Sequence, residues 1–124
     1  MSNLNCNCVG PLTVATATEL GYTIEIVERR IPHTRITKDF LGFADYIAIS
    51  PTETLAIQAT SGKNHSTRIK KIFNDRQEQA LEWLACPHRT LAVWSFSKVE
   101  DSWKHRETRL STEEVRYGEL AKRK

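Results

Sequence analysis

Apolar and polar residues along the chain follow either the two-residue period of strands or the three- to four-residue period of helices. Residues 1–9 are polar and without such a pattern, which predicts a flexible N-terminal arm before a single domain at 10–124. A helix is predicted from Gly10-Pro11, with the proline at its first helical position, to a stop at Gly21.

Three strands are predicted next. Residues 22–28 alternate and are rich in β-formers, and the basic segment 29–38 is either a loop or a continuing strand edge. Residues 44–49 are nearly all apolar, as in a strand buried on both faces, and a short turn joins them to a second apolar strand at 55–60. The last two strands are therefore predicted to form a hairpin.

The second half of the chain predicts a helix, two strands and a final helix, which completes the order α-β-β-β-α-β-β-α. One apolar stripe over 65–85 indicates a single long helix, and two strands follow at 90–96 and 103–110. Ser111 and Glu114 have the spacing of a capping box and predict the start of the last helix. The apolar members of the stripe are Ile69, Ile72, Phe73, Ala80, Leu81 and Leu84.

Composition narrows the class of protein only modestly. The chain has 124 residues, 40% hydrophobic content and a net charge of +3, which suits one globular domain that tolerates a polyanionic partner without requiring one. No apolar run approaches the length of a membrane span and the N-terminus lacks a signal-peptide pattern, so we expect no membrane partner and a cytoplasmic location. Cys6-x-Cys8 with Cys86 and His88 lacks the usual zinc spacing, so reduced thiols are preferred to a metal site.

One arrangement of polar residues in the predicted hairpin suggests chemistry. Asp45 stands at the mouth of the first strand, and Gln58 and Thr60 interrupt the apolar run of the second. Because strand side chains alternate between faces, Gln58 and Thr60 share one face, opposite Leu55, Ile57 and Ala59. An acid beside a polar-x-polar pair on the adjoining strand is the layout of a metal-dependent phosphodiesterase site. Glycine-rich phosphate loops, His-Glu-x-x-His and Gly-x-Ser-x-Gly motifs are absent from the sequence.

These residues resemble the PD-(D/E)XK nuclease superfamily over roughly 11–97, and most closely its small Holliday-junction-resolvase and VRR-NUC branch. Asp45 matches the first acid, Gln58-Ala-Thr60 occupies the acid-x-lysine position, and the 65–85 helix matches the helix that follows it. The resemblance implies an α/β, restriction-endonuclease-like fold with an αβββαβ core and a mixed central sheet flanked by helices. It departs from the family because glutamine replaces the second acid and threonine replaces the lysine.

What the resemblance implies about function leaves three alternatives. The first is a magnesium- or manganese-dependent DNA endonuclease, structure-selective like the resolvases, commonly dimeric, and with RNA not excluded as substrate. The second is an inactive module that keeps the nuclease fold, has lost the metal and binds nucleic acid through its basic helix. The third is an interaction protein without any nucleic-acid role.

Candidate metal ligands follow from the chemistry of magnesium, which prefers oxygen donors. Asp45 is the first choice, and Gln58 is either a ligand through its carbonyl oxygen or a satisfied buried amide. Asp39 either completes the metal shell or pairs with Arg35 or Lys38. Glu19 is a candidate because the first-helix glutamate joins the metal site in some superfamily members, and Glu28 on the preceding strand is a further candidate acid.

Candidate catalytic and nucleic-acid-binding residues surround the same hairpin. Thr60 either holds a water or phosphate or is a plain β-former. Lys63 in the turn and Lys71 on the helix are candidates to replace the missing lysine, and Arg68 shares a helix face with Lys71. The alternative for this basic face is ordinary solvated surface. The predicted nucleic-acid contacts are Arg35, Lys63, His65, Arg68 and Lys71.

Overall fold

The computed structural model describes residues 9–30, 32–34 and 37–121, and this part of the chain contains four α-helices and seven strands. The helices are numbered α1 to α4 and the strands β1 to β7 in chain order. A 3-10 turn, Gly62–Asn64, connects β5 to α2. The elements are α1 (Val9–Glu19), β1 (Thr23–Ile26), β2 (Arg29–Arg30), β3 (Thr37–Lys38), β4 (Tyr46–Ile49), β5 (Thr54–Ser61), α2 (His65–Asp75), α3 (Gln77–Leu84), β6 (Arg89–Val99), β7 (Ser102–Arg109) and α4 (Thr112–Tyr117).

Five strands form a mixed sheet in the order β1-β4-β5-β6-β7, and β2 pairs with β3 in a separate small hairpin. Strand β4 is antiparallel to both β1 and β5, β5 is parallel to β6, and β6 is antiparallel to β7. Parallel neighbours need a long crossover connection, and α2 with α3 supplies it between β5 and β6. The predicted α/β class, the β4–β5 hairpin and the order of the main elements are confirmed.

The sheet separates two apolar cores. On one face Leu55, Ile57 and Ala59 of β5 pack in a cluster that includes Ala17 of α1. On the other face Ala56 packs in a cluster formed largely by side chains of α2, α3 and α4. Gln58 and Thr60 have the same parity as Ala56, so they point toward α2 and α3, and the predicted division of the strand faces is confirmed.

The helix predicted over 65–85 is two helices, which corrects that prediction. At Arg76 the backbone leaves the helical region, with φ −131° and ψ 27°, and α3 starts at the next residue. The hydrogen bonds continue across the break, because the Arg76 amide bonds to Ile72 and the Arg76 carbonyl accepts from Ala80. Ile72 and Ala80 are consequently both buried in one cluster, and the apolar stripe runs through the change of direction.

Two other segments differ from their predictions. The strand predicted over 22–28 ends at Ile26, and the basic segment 29–38 contains the short β2–β3 hairpin. The final helix was predicted correctly, since both hydrogen bonds of the Ser111–Glu114 capping box are present. None of the helices in the described part of the chain is long and apolar enough to cross a membrane.

Candidate metal centre

Backbone hydrogen bonds fix Asp45 between the end of β1 and the middle of β5. Its amide donates to the carbonyl of Ile57 at 2.9 Å, and its own carbonyl accepts from the amides of Val27 and Glu28 at 2.9 and 3.2 Å. Asp45 is only 9% exposed. The same bonds that end β1 therefore place the Glu28 side chain beside the Asp45 carboxylate.

A tight turn brings a second acid to the same point. Phe40 and Ala44 form an isolated antiparallel bridge, and the Gly42 amide donates to the Asp39 carbonyl at 3.1 Å. Leu41 and Gly42 inside the turn have φ values of 54° and 80°. The left-handed conformation costs least at glycine, so Gly42 suits this turn, whereas Leu41 is a residue that rarely adopts it.

Three carboxylates converge as a result. Glu28, Asp39 and Asp45 each offer one oxygen, and these oxygens all lie within 4.8 Å of one another. Both ion pairs found among the described residues belong to Arg109, so none of the lysines and arginines whose side chains the structure describes lies within ion-pair distance of this group. The three acids form what we call the acid group.

Burial and the charges of neighbouring acids raise the pKa values of Asp45 and Glu28. Burial is the main reason that the pKa of Asp45 rises to about 8, and the charge and hydrogen bond of Asp39 add to it. The amide of Ala59 opposes this rise by hydrogen bonding to the carboxylate. The pKa of Glu28 is raised by burial and by the charge of Asp39. Three full negative charges at this spacing therefore call for a bound proton or a cation.

The donor set of the acid group fits a hard divalent cation. Carboxylate oxygens are the ligands that Mg²⁺, Mn²⁺ and Ca²⁺ prefer, and Mg²⁺ commonly keeps several waters beside one or two protein carboxylates. Cysteine and histidine are not members of the group, so the softer N/S chemistry of zinc does not apply to it.

Gln58, which the sequence analysis placed on the strand next to Asp45, contacts this carboxylate directly. Its Nε2 donates to Asp45 Oδ2 at 2.9 Å, and the Ala59 amide donates to the same oxygen at 3.1 Å. Gln58 is 3% exposed. The contact seen is that of a buried amide satisfied by the carboxylate, which is the structural alternative for Gln58. Thr60 lies one step further along the same face and is also buried.

A pocket of about 490 Å³ opens next to the acid group, with Asp39 in its wall. Lys71, one of the two candidate replacement lysines, reaches this pocket from α2 and shares it with Asp39. Lys63 is exposed in the 3-10 turn after β5, and Arg68 is half-buried on α2. The described residues lining the pocket are Lys38, Asp39, Leu41, Gly42, Lys71, Arg76 and Gln79.

Two predicted site residues lie elsewhere. His65 begins α2, is 1% exposed and shares hydrogen bonds with Ser95 at 2.7 Å and Thr108 at 2.8 Å. The expectation that it contacts nucleic acid was wrong, because its ring is enclosed and both nitrogens are satisfied. Glu19 is the exposed last residue of α1 and is not a member of the acid group, whose third carboxylate is that of Glu28.

Other predicted residues fall outside the described ranges. Arg35, Cys6 and Cys8 are among these, and Cys86, which is described, is a half-buried free thiol.

The sequence offered Glu28 only as a further acid on an alternating strand. Its place in the acid group depends on backbone bonds to Asp45, which follows it by 17 positions (45 − 28), and no local pattern reports those bonds.

Comparisons with protein-family models, with curated proteins and with solved structures give no match for this chain.

Proposed function

We propose that the chain is a divalent-metal-dependent nuclease whose metal is held by Glu28, Asp39 and Asp45. The observation that carries this proposal is the convergence of three carboxylate oxygens within 4.8 Å, one of them on a buried aspartate, without a described basic side chain to neutralise them. Repulsion between three such carboxylates raises the free energy of the folded state unless a cation or a proton is bound to them. Clusters of acids whose pKa values are shifted by burial and by one another's charge are typical of functional sites.

The arrangement of elements supports the same proposal. Helix α1, strands β1, β4 and β5, the α2–α3 pair and strand β6 follow one another in the αβββαβ order that the resemblance implies, with the β2–β3 hairpin inserted. Asp45 precedes β4, and Gln58 lies beside it on the adjoining strand. A basic helix follows that strand, and Lys71 on this helix lines the pocket next to Asp39.

Hydrolysis of a phosphodiester needs a water oxygen to bond to phosphorus while one P–O ester bond breaks and the leaving oxygen gains a proton. A bound Mg²⁺ or Mn²⁺ would supply Lewis-acid polarisation of the phosphoryl group and a more acidic water. The chain's own residues have other tasks. The three acids would hold the cation, and Lys71 would place a positive charge beside the phosphate. Hydrogen bonds from Gln58 and the Ala59 amide fix the orientation of the Asp45 carboxylate.

The raised pKa of Asp45 links metal binding to protons. At neutral pH the buried Asp45 carboxyl holds a proton in the absence of metal, since its pKa is about 8. Metal ligands must be deprotonated, so binding releases that proton and the apparent affinity rises with pH until about pH 8. Activity is expected to rise over the same interval.

The proposal is tested by DNA cleavage in the presence of Mn²⁺, using supercoiled, linear and branched substrates. Asp45→Asn keeps the shape of the side chain and removes its charge, so we expect cleavage to be abolished. Asp75→Asn is the matched control, because Asp75 is an exposed aspartate at the end of α2. Absence of cleavage by the wild type on all three substrates, or cleavage that survives Asp45→Asn, would contradict the proposal.

The hydrogen bond from Gln58 to Asp45 favours a second candidate, a nucleic-acid-binding module of the same fold without metal. In this alternative the amide takes the place of the second acid and satisfies Asp45 without any cation. Calorimetric titration with Mn²⁺ at pH 8 separates the two. The nuclease requires binding that Asp45→Asn removes, and the module requires none.

A further inference from the structure

The pocket beside the acid group has a cationic lining. Its lining includes Lys38 from β3, Lys71 from α2 and Arg76 at the break between α2 and α3. Gln79 adds an amide from α3. Neither ion pair among the described residues involves these three cations. Positive side chains that converge on one concavity without a described carboxylate partner raise the local concentration of anions there.

The guanidinium of Arg76 is held against the turn that carries Asp39. A Cβ at Gly42 would lie 2.3 Å from Arg76 Nε and 2.7 Å from its Cδ, so only glycine at position 42 leaves room for this packing. The break between α2 and α3 occurs at Arg76 itself. The helix is therefore interrupted at Arg76, the same residue whose side chain lines the pocket.

Two features of this pocket lack an explanation in the fold alone. Arg76 Nε is buried and has no hydrogen-bond partner among the described residues, which is costly for a charged donor. Leu41, which also lines the pocket, has a left-handed backbone with φ 54°. Unpaired buried donors and strained non-glycine residues concentrate where a ligand is bound.

We propose that this pocket binds a phosphate group of a nucleic-acid strand through Lys71, Arg76 and Lys38, next to the bond that the acid group would cleave. The inference rests on the proposed function and gives its substrate a second point of attachment. Arginine and lysine suit phosphate oxygens, and a cavity of about 490 Å³ has room for a nucleotide rather than a bare ion. Asp39 in the wall keeps the phosphate on the cationic side by repulsion.

Lys71 and Lys70 provide a matched pair for the test. Both lie on α2 and change the net charge equally when replaced by glutamine, but only Lys71 lines the pocket, and Lys70 is exposed. The probes are inorganic phosphate and a short single-stranded DNA with or without a 5′-phosphate, titrated calorimetrically in EDTA so that no metal contributes. Arg76→Lys is a second variant that keeps the charge and removes the guanidinium fork.

We expect Lys71→Gln and Arg76→Lys each to weaken phosphate and DNA binding by about tenfold or more, and Lys70→Gln to change it by less than about twofold. In Lys71→Gln the slope of log affinity against log salt concentration should become shallower by about 1, which corresponds to the loss of one phosphate contact. Dependence on the 5′-phosphate assigns the pocket to a strand end, and equal binding of both DNAs assigns it to an internal phosphate. Both results support the site.

Equal effects of Lys71→Gln and Lys70→Gln, or no phosphate binding by the wild type, overturn the inference. These failures differ from failure of the proposed function. If the wild type binds phosphate through Lys71 and Arg76 but does not cleave DNA, the phosphate pocket is supported and the proposed nuclease function is refuted. If the wild type cleaves DNA but Lys71→Gln and Lys70→Gln bind phosphate and DNA equally well, the nuclease function is supported and the phosphate pocket is refuted.

Discussion

Replacing Asp45 by asparagine should stabilise the metal-free protein at alkaline pH, although it removes a buried, hydrogen-bonded side chain. Asparagine has nearly the same shape, and its carbonyl oxygen can accept the bonds from Gln58 and the Ala59 amide. What it loses is a carboxylate that sits 9% exposed beside Asp39 and Glu28. A residue kept for binding a cation is expected to lower stability when the cation is missing.

The size of the effect follows from the pKa of Asp45, about 8 in the folded protein against an ordinary value of 3.8. Between these values the folded state holds one more proton than the unfolded state, so the free energy of unfolding falls as pH rises. The slope is about 1.4 kcal/mol per pH unit, which gives a loss of about 4 kcal/mol between about pH 5 and about pH 8. Below the unfolded pKa the Asp45 contribution disappears, and above the folded pKa it is constant.

The assay is urea unfolding followed by circular dichroism at several pH values from 5 to 9, in EDTA. Other groups titrate over this range, so the informative quantity is the difference between wild type and Asp45→Asn, with Asp75→Asn as the control. We expect that difference to change by several kcal/mol in favour of the variant as pH rises. With Mn²⁺ in place of EDTA at pH 8, the wild type should gain about 2.7 kcal/mol of stability at a free Mn²⁺ concentration a hundredfold above its dissociation constant. The stability of Asp45→Asn should not change.

A pH-independent difference between wild type and Asp45→Asn would refute the reasoning, because it would mean that Asp45 titrates alike in the folded and unfolded states. Equal stabilisation of both proteins by Mn²⁺ would separately remove Asp45 from the metal centre. The two results are independent. The first concerns burial and repulsion inside the acid group, and the second concerns what the acid group binds.

Two further predictions concern Gln58 and the last helix. Gln58→Glu adds a fourth carboxylate to the acid group, so it should destabilise the protein in EDTA at pH 8 and shift Mn²⁺ binding to higher pH, measured by urea unfolding and calorimetry. A gain of stability in EDTA would contradict this prediction. Ser111→Ala removes the side-chain acceptor of the α4 capping box and should cost about 1 kcal/mol in urea unfolding. Ser66→Ala at an exposed position of α2 is its control, and an equal loss in both variants would rule out the cap as the cause.

The sequence predicted the parts of the site that depend on neighbouring residues. Alternation alone placed Gln58 and Thr60 on one face of β5, and the acid before β4 came next to Gln58 because a hairpin joins the two strands. The capping box of α4 was equally local. In each of these cases the pattern and the contact lie within a few residues or across one turn, so the sequence carries the information.

The sequence did not predict the parts that depend on distant contacts. Glu28 joins Asp45 through backbone bonds between the end of β1 and the start of β4. His65 follows a glycine-containing turn and looks exposed, yet Ser95 and Thr108, which pair its ring nitrogens, lie 30 and 43 residues away. The break at Arg76 was hidden because the apolar stripe continues on both sides of it.

Glutamine at position 58 also becomes easier to understand once the whole acid group is considered. A second acid there would place a fourth carboxylate in hydrogen-bonding contact with Asp45, in addition to Glu28 and Asp39. Like charges at this distance raise one another's pKa and would oppose ionisation of the group that we propose as the cation site. The amide of Gln58 instead donates a hydrogen bond to Asp45 Oδ2 and favours its charged form. Glu28 and Asp39 then supply the carboxylates that the adjoining strand lacks, so the proposed metal centre is compatible with glutamine at position 58.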